Sequence, residues 1–234
     1  MQIKDRLEFS QTLRALLLAA PLAALAACGT VAPEKPPAST SGPAKPPGAQ
    51  ATSPKPDRSV EASGVAVLFA CNMTVSNPPP TDADRRIIGA TKRVSIKGVA
   101  LRLAPVSEGC LSSGFGPRGL KQHRGVDYFG RRGDVLAAGD GVIKECAVRA
   151  DFGNMVLIEH PGGVYTRYAH LASFARAFAV GETIKDGAVL GPIGATGMAG
   201  APHLHYEILS GSYVPGVGSF GLSHHDPFAL PARK

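Results

Sequence analysis

The chain has 234 residues, 44% hydrophobic, 18% charged and 6% aromatic, with no tryptophan, so it can build one sizeable core or two small ones and is no disulfide-held miniprotein. Its 28 glycines and 20 prolines, about a fifth of the chain, argue against a helical bundle or coiled coil and for a turn-rich, β-rich body. The formal charge of +7 is a mild excess that suits an anionic partner without naming one; a nucleic-acid partner is not expected.

Lys4, Arg6 and Arg14 precede thirteen uncharged residues, Ala15 to Ala27, and then Cys28. That run is too short to span a hydrocarbon core and reads as the apolar region of a secretion signal, residues 1–27. The junction Leu25-Ala26-Ala27-Cys28 resembles the lipobox of bacterial lipoproteins, which implies cleavage before Cys28, acylation of that cysteine and a membrane anchor. Gly29, in place of an acidic residue after the cysteine, favours the outer over the inner membrane, with the rest of the chain in the periplasm. Residues 28–59 hold the acylated cysteine and a tether with eight prolines and no aromatic residue, which cannot bury enough surface to fold. In an exported chain, Cys71, Cys110 and Cys146 predict one disulfide and one free thiol, with three pairings open.

Residues 60–105 read as a small subdomain or as strands added to the main one: Val65 to Cys71 and Val99 to Leu103 look like strands, with loop from Asn77 to Arg86. Residues 106–234 carry 22 of the 28 glycines between short runs such as Val135 to Ala138, Met155 to Ile158 and Val164 to Tyr168, the pattern of antiparallel sheet with tight hairpins. Val180 to Ile184 and Val189 to Gly194 look like one such hairpin, and Leu171 to Ala179 has room for one or two helical turns. The fold class is therefore all-β.

Within Pro202 to Ile208, a strand would project His203 and His205 to one face and Leu204 to the other. His123 and Asp127, four apart in His123-Arg124-Gly125-Val126-Asp127, share a side on a helix or a strand, and Gly125 with Val126 favours the extended choice. Two imidazoles and a carboxylate make the three-ligand set of a catalytic zinc site with a fourth position for water, and the retained positive charge favours hydroxide at neutral pH. His170 ends the strand-like run Tyr165 to Leu171.

With the order Ser112-Ser113-Gly114-Phe115-Gly116-Pro117-Arg118, HRGVD, Gly153-Asn154, Tyr168-Ala169-His170-Leu171, TGMAGAPHLHYEI and Asp226-Pro227-Phe228, about 120 residues closely resemble the LytM/lysostaphin family of zinc endopeptidases, which cut peptide bonds in bacterial peptidoglycan. The resemblance implies an antiparallel β domain with a groove, barrel-sandwich-hybrid-like, over residues 106–234. It also implies Zn2+ held by His123, Asp127 and His205, His203 as the base for water, and His170 as the group stabilising the oxyanion. Peptidoglycan is the implied substrate, and cell-division or other envelope proteins are candidate partners. His160 matches a hairpin position and reads as structural, while His224 and His225 read as solvent-facing loop residues. Ala199-Gly200-Ala201 departs from the family's usual step before the proline, and residues 211–225 exceed a minimal hairpin; both bear on the groove rather than the ligands. Some relatives have lost their ligands and act as non-catalytic activators of cell-wall amidases or bind peptidoglycan only; all five site residues are present here. Gly114-x-Gly116-x-x-Gly119 opens no helical pattern and is rejected as a dinucleotide fingerprint, and no G-x-S-x-G occurs.

Overall fold

A computed structural model describes residues 68–216 and 218–233. The expected signal peptide, Cys28 and the tether of residues 28–59 lie outside them. In chain order the strands are β1 (Arg93–Ile96), β2 (Val99–Arg102), β3 (Cys110–Ser113), β4 (Gly116–Arg118), β5 (Lys121–His123), β6 (Val126–Phe129) and β7 (Asp134–Leu136). They continue with β8 (Gly141–Arg149), β9 (Gly153–His160), β10 (Val164–Leu171), β11 (Thr183–Ile184), β12 (Val189–Pro192), β13 (His203–Ser210) and β14 (Ser223–His225). Among the described residues there is no α-helix. The main sheet runs β11-β8-β9-β10-β13-β6-β3, with β14 also on β13 and every pairing antiparallel; β1-β2, β7-β12 and β4-β5 are two-stranded.

Side-chain alternation decides what each face meets. On the central strands Val156, Ile158, Val164, Tyr168, Leu204, Tyr206 and Ile208 enter the main core. Met155, Leu157, Tyr165 and Leu209, on the opposite face, form a second cluster with Phe220 and Leu222. Because β10 is covered on both sides, all eight of its residues are buried. The buried tyrosines keep their hydroxyls satisfied: Tyr128 Oη donates to Leu103 O at 2.8 Å and Tyr206 Oη to Arg102 O at 3.2 Å. These bonds tie the end of β2 to the sheet. Leu68, Ile87, Val94, Ile96, Leu101 and Leu103 likewise belong to the main core, so residues 68–105 pack into the same interior as the later strands.

Several local expectations change. Residues 180–184 and 189–194 do not pair with each other: β11 lies on β8 and β12 on β7, so each short segment draws its backbone partners from a distant strand. Residues 172–178 form bends without a helical turn, their ends held by bonds from Ala172 N to Pro192 O and from Ala175 N to Leu190 O. Of the expected strand Val65 to Cys71, residues 65–67 lie outside the described residues, and residues 68–71 carry isolated bridges at Phe69 and Ala70. Cys71 and Cys110 form a disulfide across 39 residues, and no described cysteine is a free thiol, Cys146 included. His224 and His225 sit on β14 against β13 rather than in open loop, and His225 Nε2 lies 2.8 Å from Ser210 Oγ. His160 is buried and structural: Nδ1–H donates to Asp140 O and Nε2 accepts from Thr166 Oγ1, both at 2.8 Å.

Candidate metal centre

The register of β6 on β13 puts Asp127 directly opposite His205, two strands that the sequence separates by 78 residues. His123 ends β5, in the small β4-β5 sheet, and the chain turns through Arg124-Gly125 before Asp127 enters β6. The pair therefore sits across a turn rather than on one continuous strand. Gly125 makes that turn fit, since a Cβ there would lie 2.5 Å from Tyr206 O and 2.9 Å from His205 Cε1.

His123 Nε2, Asp127 Oδ1 and His205 Nδ1 converge in the buried floor of the cleft. The nitrogens lie 3.1 Å and 2.9 Å from Oδ1 and 3.1 Å from each other. Tetrahedral ligands at about 2.0–2.1 Å from a zinc ion stand roughly 3.3 Å apart, close to this spacing. Their outer partners fix what these atoms carry. His205 Nε2–H donates to Glu207 Oε1 at 3.0 Å, which leaves Nδ1 with a lone pair. His123 Nδ1–H donates to Gly114 O at 2.7 Å, which leaves Nε2 with a lone pair. The Arg118 guanidinium, 2.8 Å from the same Nδ1, gives its two Nη2 protons to Asp127 Oδ2 at 2.6 Å and to Ser113 Oγ. Three acceptors thus aim at one point with no donor of their own, an arrangement that a divalent cation of nitrogen and oxygen preference completes.

The electrostatics have the same origin. Burial pushes the Asp127 carboxyl up, but its bonds to His123 and His205 outweigh this and hold it well below the usual carboxylate range. Burial pushes His205 down, and the Asp127 and Glu207 carboxylates outweigh it, raising the imidazole to about 9.

His170 and His203 stand over this floor with ring centroids 4.8 Å apart. His203 Nδ1–H donates to Ala201 O at 2.8 Å, and its Nε2 lies 3.8 Å from Asp127 Oδ1. Leu204 is fully buried on the other face of β13, as alternation requires. His170 reaches the cleft through a bulge. The β9-β10 register shifts between Tyr168 and Leu171, and His170 takes φ 65°, unusual for a side-chain-bearing residue. Its Nδ1–H donates to Thr196 O at 2.8 Å, and burial pulls its pKa down to about 4. Gly153 allows this approach, since at φ +61° a Cβ would meet Thr196 Oγ1 at 2.2 Å.

His123, Asp127, His170, His203 and His205 all line one cleft of about 340 Å³, together with Arg118, Asp151, Phe152, Met198 and Gly200. Sequence reasoning gave no role to Arg118, Phe152, Arg167 or Glu207. Glu207 had a visible signal, because it continues the His203, His205 alternation on the same strand face. Arg118 lay in a quoted motif, but its contact with Asp127 depends on the β4-β5 hairpin folding back.

Residues 121–215 match the family model of Peptidase family M23. Peptidoglycan DD-endopeptidase ShyC of Vibrio cholerae is 41% identical over 107 residues, covering 42% of this chain and 24% of that protein. Cell division protein DipM of Caulobacter vibrioides is 31% identical over 196 residues, covering 80% of this chain and 31% of that protein. Among solved structures, the catalytic domain of the antimicrobial peptidase lysostaphin from Staphylococcus simulans has 30% identity and a TM-score of 0.43, over 51% of this chain and 89% of that one. The chain spans from a fifth to a third of the length of these curated relatives and of the DD-carboxypeptidase/endopeptidase Mpg of Neisseria meningitidis. The family match falls on the stretch that supplies His123, Asp127, His170, His203 and His205 to the cleft, and it identifies residues 121–215 as a Peptidase family M23 domain.

Proposed function

We propose that the domain is a zinc-dependent endopeptidase that hydrolyses peptide bonds in the stem peptides or crosslinks of peptidoglycan. The observation that carries this is the convergence of three oriented lone pairs, from His123 Nε2, Asp127 Oδ1 and His205 Nδ1, at the floor of an open cleft flanked by two further imidazoles. Likeness to proteins named peptidoglycan DD-endopeptidase supports the substrate class. A bound Zn2+ supplies Lewis acidity and brings the ionisation of water into the neutral range.

The chain's own residues supply the remaining steps. His203, held by Ala201 O through Nδ1, turns Nε2 to the cleft as the base that accepts a proton from attacking water and returns it to the departing amine. His170, held the same way by Thr196 O, is a neutral acceptor at Nε2 and serves as an oxyanion donor only once that nitrogen has gained a proton. Asp127 stays ionised across the working range.

Export, a lipid anchor at Cys28 and an outer-membrane position in the periplasm belong to the same proposal. The sequence of residues 1–59 supports them, as does a disulfide suited to an oxidising compartment. The test is to incubate residues 29–234 with purified sacculi, identify the fragments released and assay metal content in parallel. Released peptides that disappear on chelation and return with zinc support the reading. Intact sacculi in the presence of fully metal-loaded protein would replace it with a non-catalytic, wall-binding or amidase-activating role.

A further inference from the structure

Behind His205 lies an ion pair with no outlet to water. Arg167 on β10 and Glu207 on β13 face each other in register, their side chains are 1% and 3% exposed, and Arg167 Nη1 stands 2.9 Å from Glu207 Oε2. The guanidinium is sandwiched between two rings, its Cζ 4.5 Å from the centroid of Phe152 and 5.2 Å from that of Phe220. The surroundings are the apolar second cluster, where an uncharged pair of similar volume would pack without any desolvation cost. Buried pairs of this kind seldom add stability over apolar replacements. What the pair does possess is a second contact, since the other carboxylate oxygen, Oε1, accepts the Nε2–H of His205 at 3.0 Å.

We infer that Arg167 and Glu207 are positioning residues for the metal ligand His205. Glu207 holds the imidazole by Nε2–H so that Nδ1 faces Asp127 and His123, and Arg167 holds Glu207 in place from behind. Glu207 can reach His205 because residues two apart on a strand share a face. Its other oxygen, Oε2, is faced by Arg167 Nη1 at 2.9 Å from the neighbouring strand and by His224 Nε2 at 3.4 Å from β14, and Arg167 is the nearer of the two. Phe152 connects the pair to the cleft, with one side on Arg167 and its ring centroid 6.0 Å from that of His205. Outer carboxylates that orient a ligating histidine are generally worth about 10–100-fold in metal affinity.

This inference rests on the metal-binding reading above, and the experiment separates the two. Zinc affinity is measured by competition with a chromophoric chelator, and the thermal midpoint of each metal-free protein is measured alongside, for the wild type, Glu207→Gln, Arg167→Met and the double variant. Glu207→Gln should bind zinc about 10–100-fold more weakly. Arg167→Met should lose both affinity and midpoint, because it leaves a buried carboxylate without its counter-ion. In the double variant neither charge of the pair remains, so the midpoint should return toward wild type while the affinity stays at least about 10-fold weakened. Wild-type affinity in Glu207→Gln or in the double variant would overturn the inference and leave the pair a structural feature only. If Arg167→Met fails to fold, those two proteins still decide. A wild type that takes up no zinc would instead remove the metal-binding reading, and this inference with it.

Discussion

At the scale of single residues, the proposed ligands and the proposed base occupy one cleft yet should respond differently to removal. His205→Ala deletes one of three converging acceptors and should abolish zinc retention and hydrolysis together, whereas His203→Ala should keep the metal and lower turnover about 10²–10⁴-fold. Metal content by mass spectrometry beside release of peptide from sacculi distinguishes them, and equal activity in both variants would contradict the assignment. The raised pKa of His205, about 9, has a sign that can be checked. Below that value the metal must displace a proton, so apparent zinc affinity should rise with pH between about 6.5 and 9 and level off above it, with proton release detectable in weakly buffered solution. Gly125 is a third test at this scale. In Gly125→Ala the new methyl meets Tyr206 O and the His205 ring, which should cost about 1–3 kcal/mol in chemical denaturation and weaken zinc binding as His205 is displaced.

At the scale of elements, the bulge on β10 and the turn into β9 act together. Gly153 lets the β8-β9 turn lie against Thr196, whose carbonyl holds His170 and whose hydroxyl donates to Leu171 O at 2.8 Å. Gly153→Ala combines a left-handed backbone with a clash against Thr196, so it should loosen His170 and lower turnover while zinc content stays full, which parallel metal and activity assays would show. The β13 alternation was readable directly: Leu204, Tyr206 and Ile208 inward, His203, His205 and Glu207 outward. The bulge was not, because nothing in Tyr165 to Leu171 marks where the ladder with β9 slips. The supposed hairpin at residues 180–194 failed for a related reason: glycine spacing marks the turns but not which strand each short segment pairs with.

At the scale of the whole molecule, the disulfide and a buried polar chain join distant parts of the core. Cys71–Cys110 closes a 39-residue separation and, on chain entropy, contributes about 4 kcal/mol; replacing both cysteines with serine should lower the denaturation midpoint accordingly. Ala138 N–H donates to Tyr168 Oη at 2.7 Å, Tyr168 to Thr166 Oγ1 at 2.9 Å and Thr166 to His160 Nε2 at 2.8 Å, while His160 Nδ1–H caps Asp140 O. Burial lowers the His160 pKa from its ordinary 6.5, so the unfolded chain takes up a proton first. Stability should therefore decline as pH falls below about 6.5, and His160→Gln should flatten that part of the midpoint-versus-pH profile. The sequence by itself determined the strand-rich class and the face that His203 and His205 share, because period-two alternation is a local property, and its resemblance to a known family pointed to five residues that the structure gathers in one cleft. Only the tertiary structure decided that Asp127 meets His205, that Gly114, Thr196 and Glu207 set the tautomers around the cleft, and that Arg167 stands behind Glu207. Those relations depend on strand register and on carbonyls from distant segments, and no local pattern in the chain encodes them.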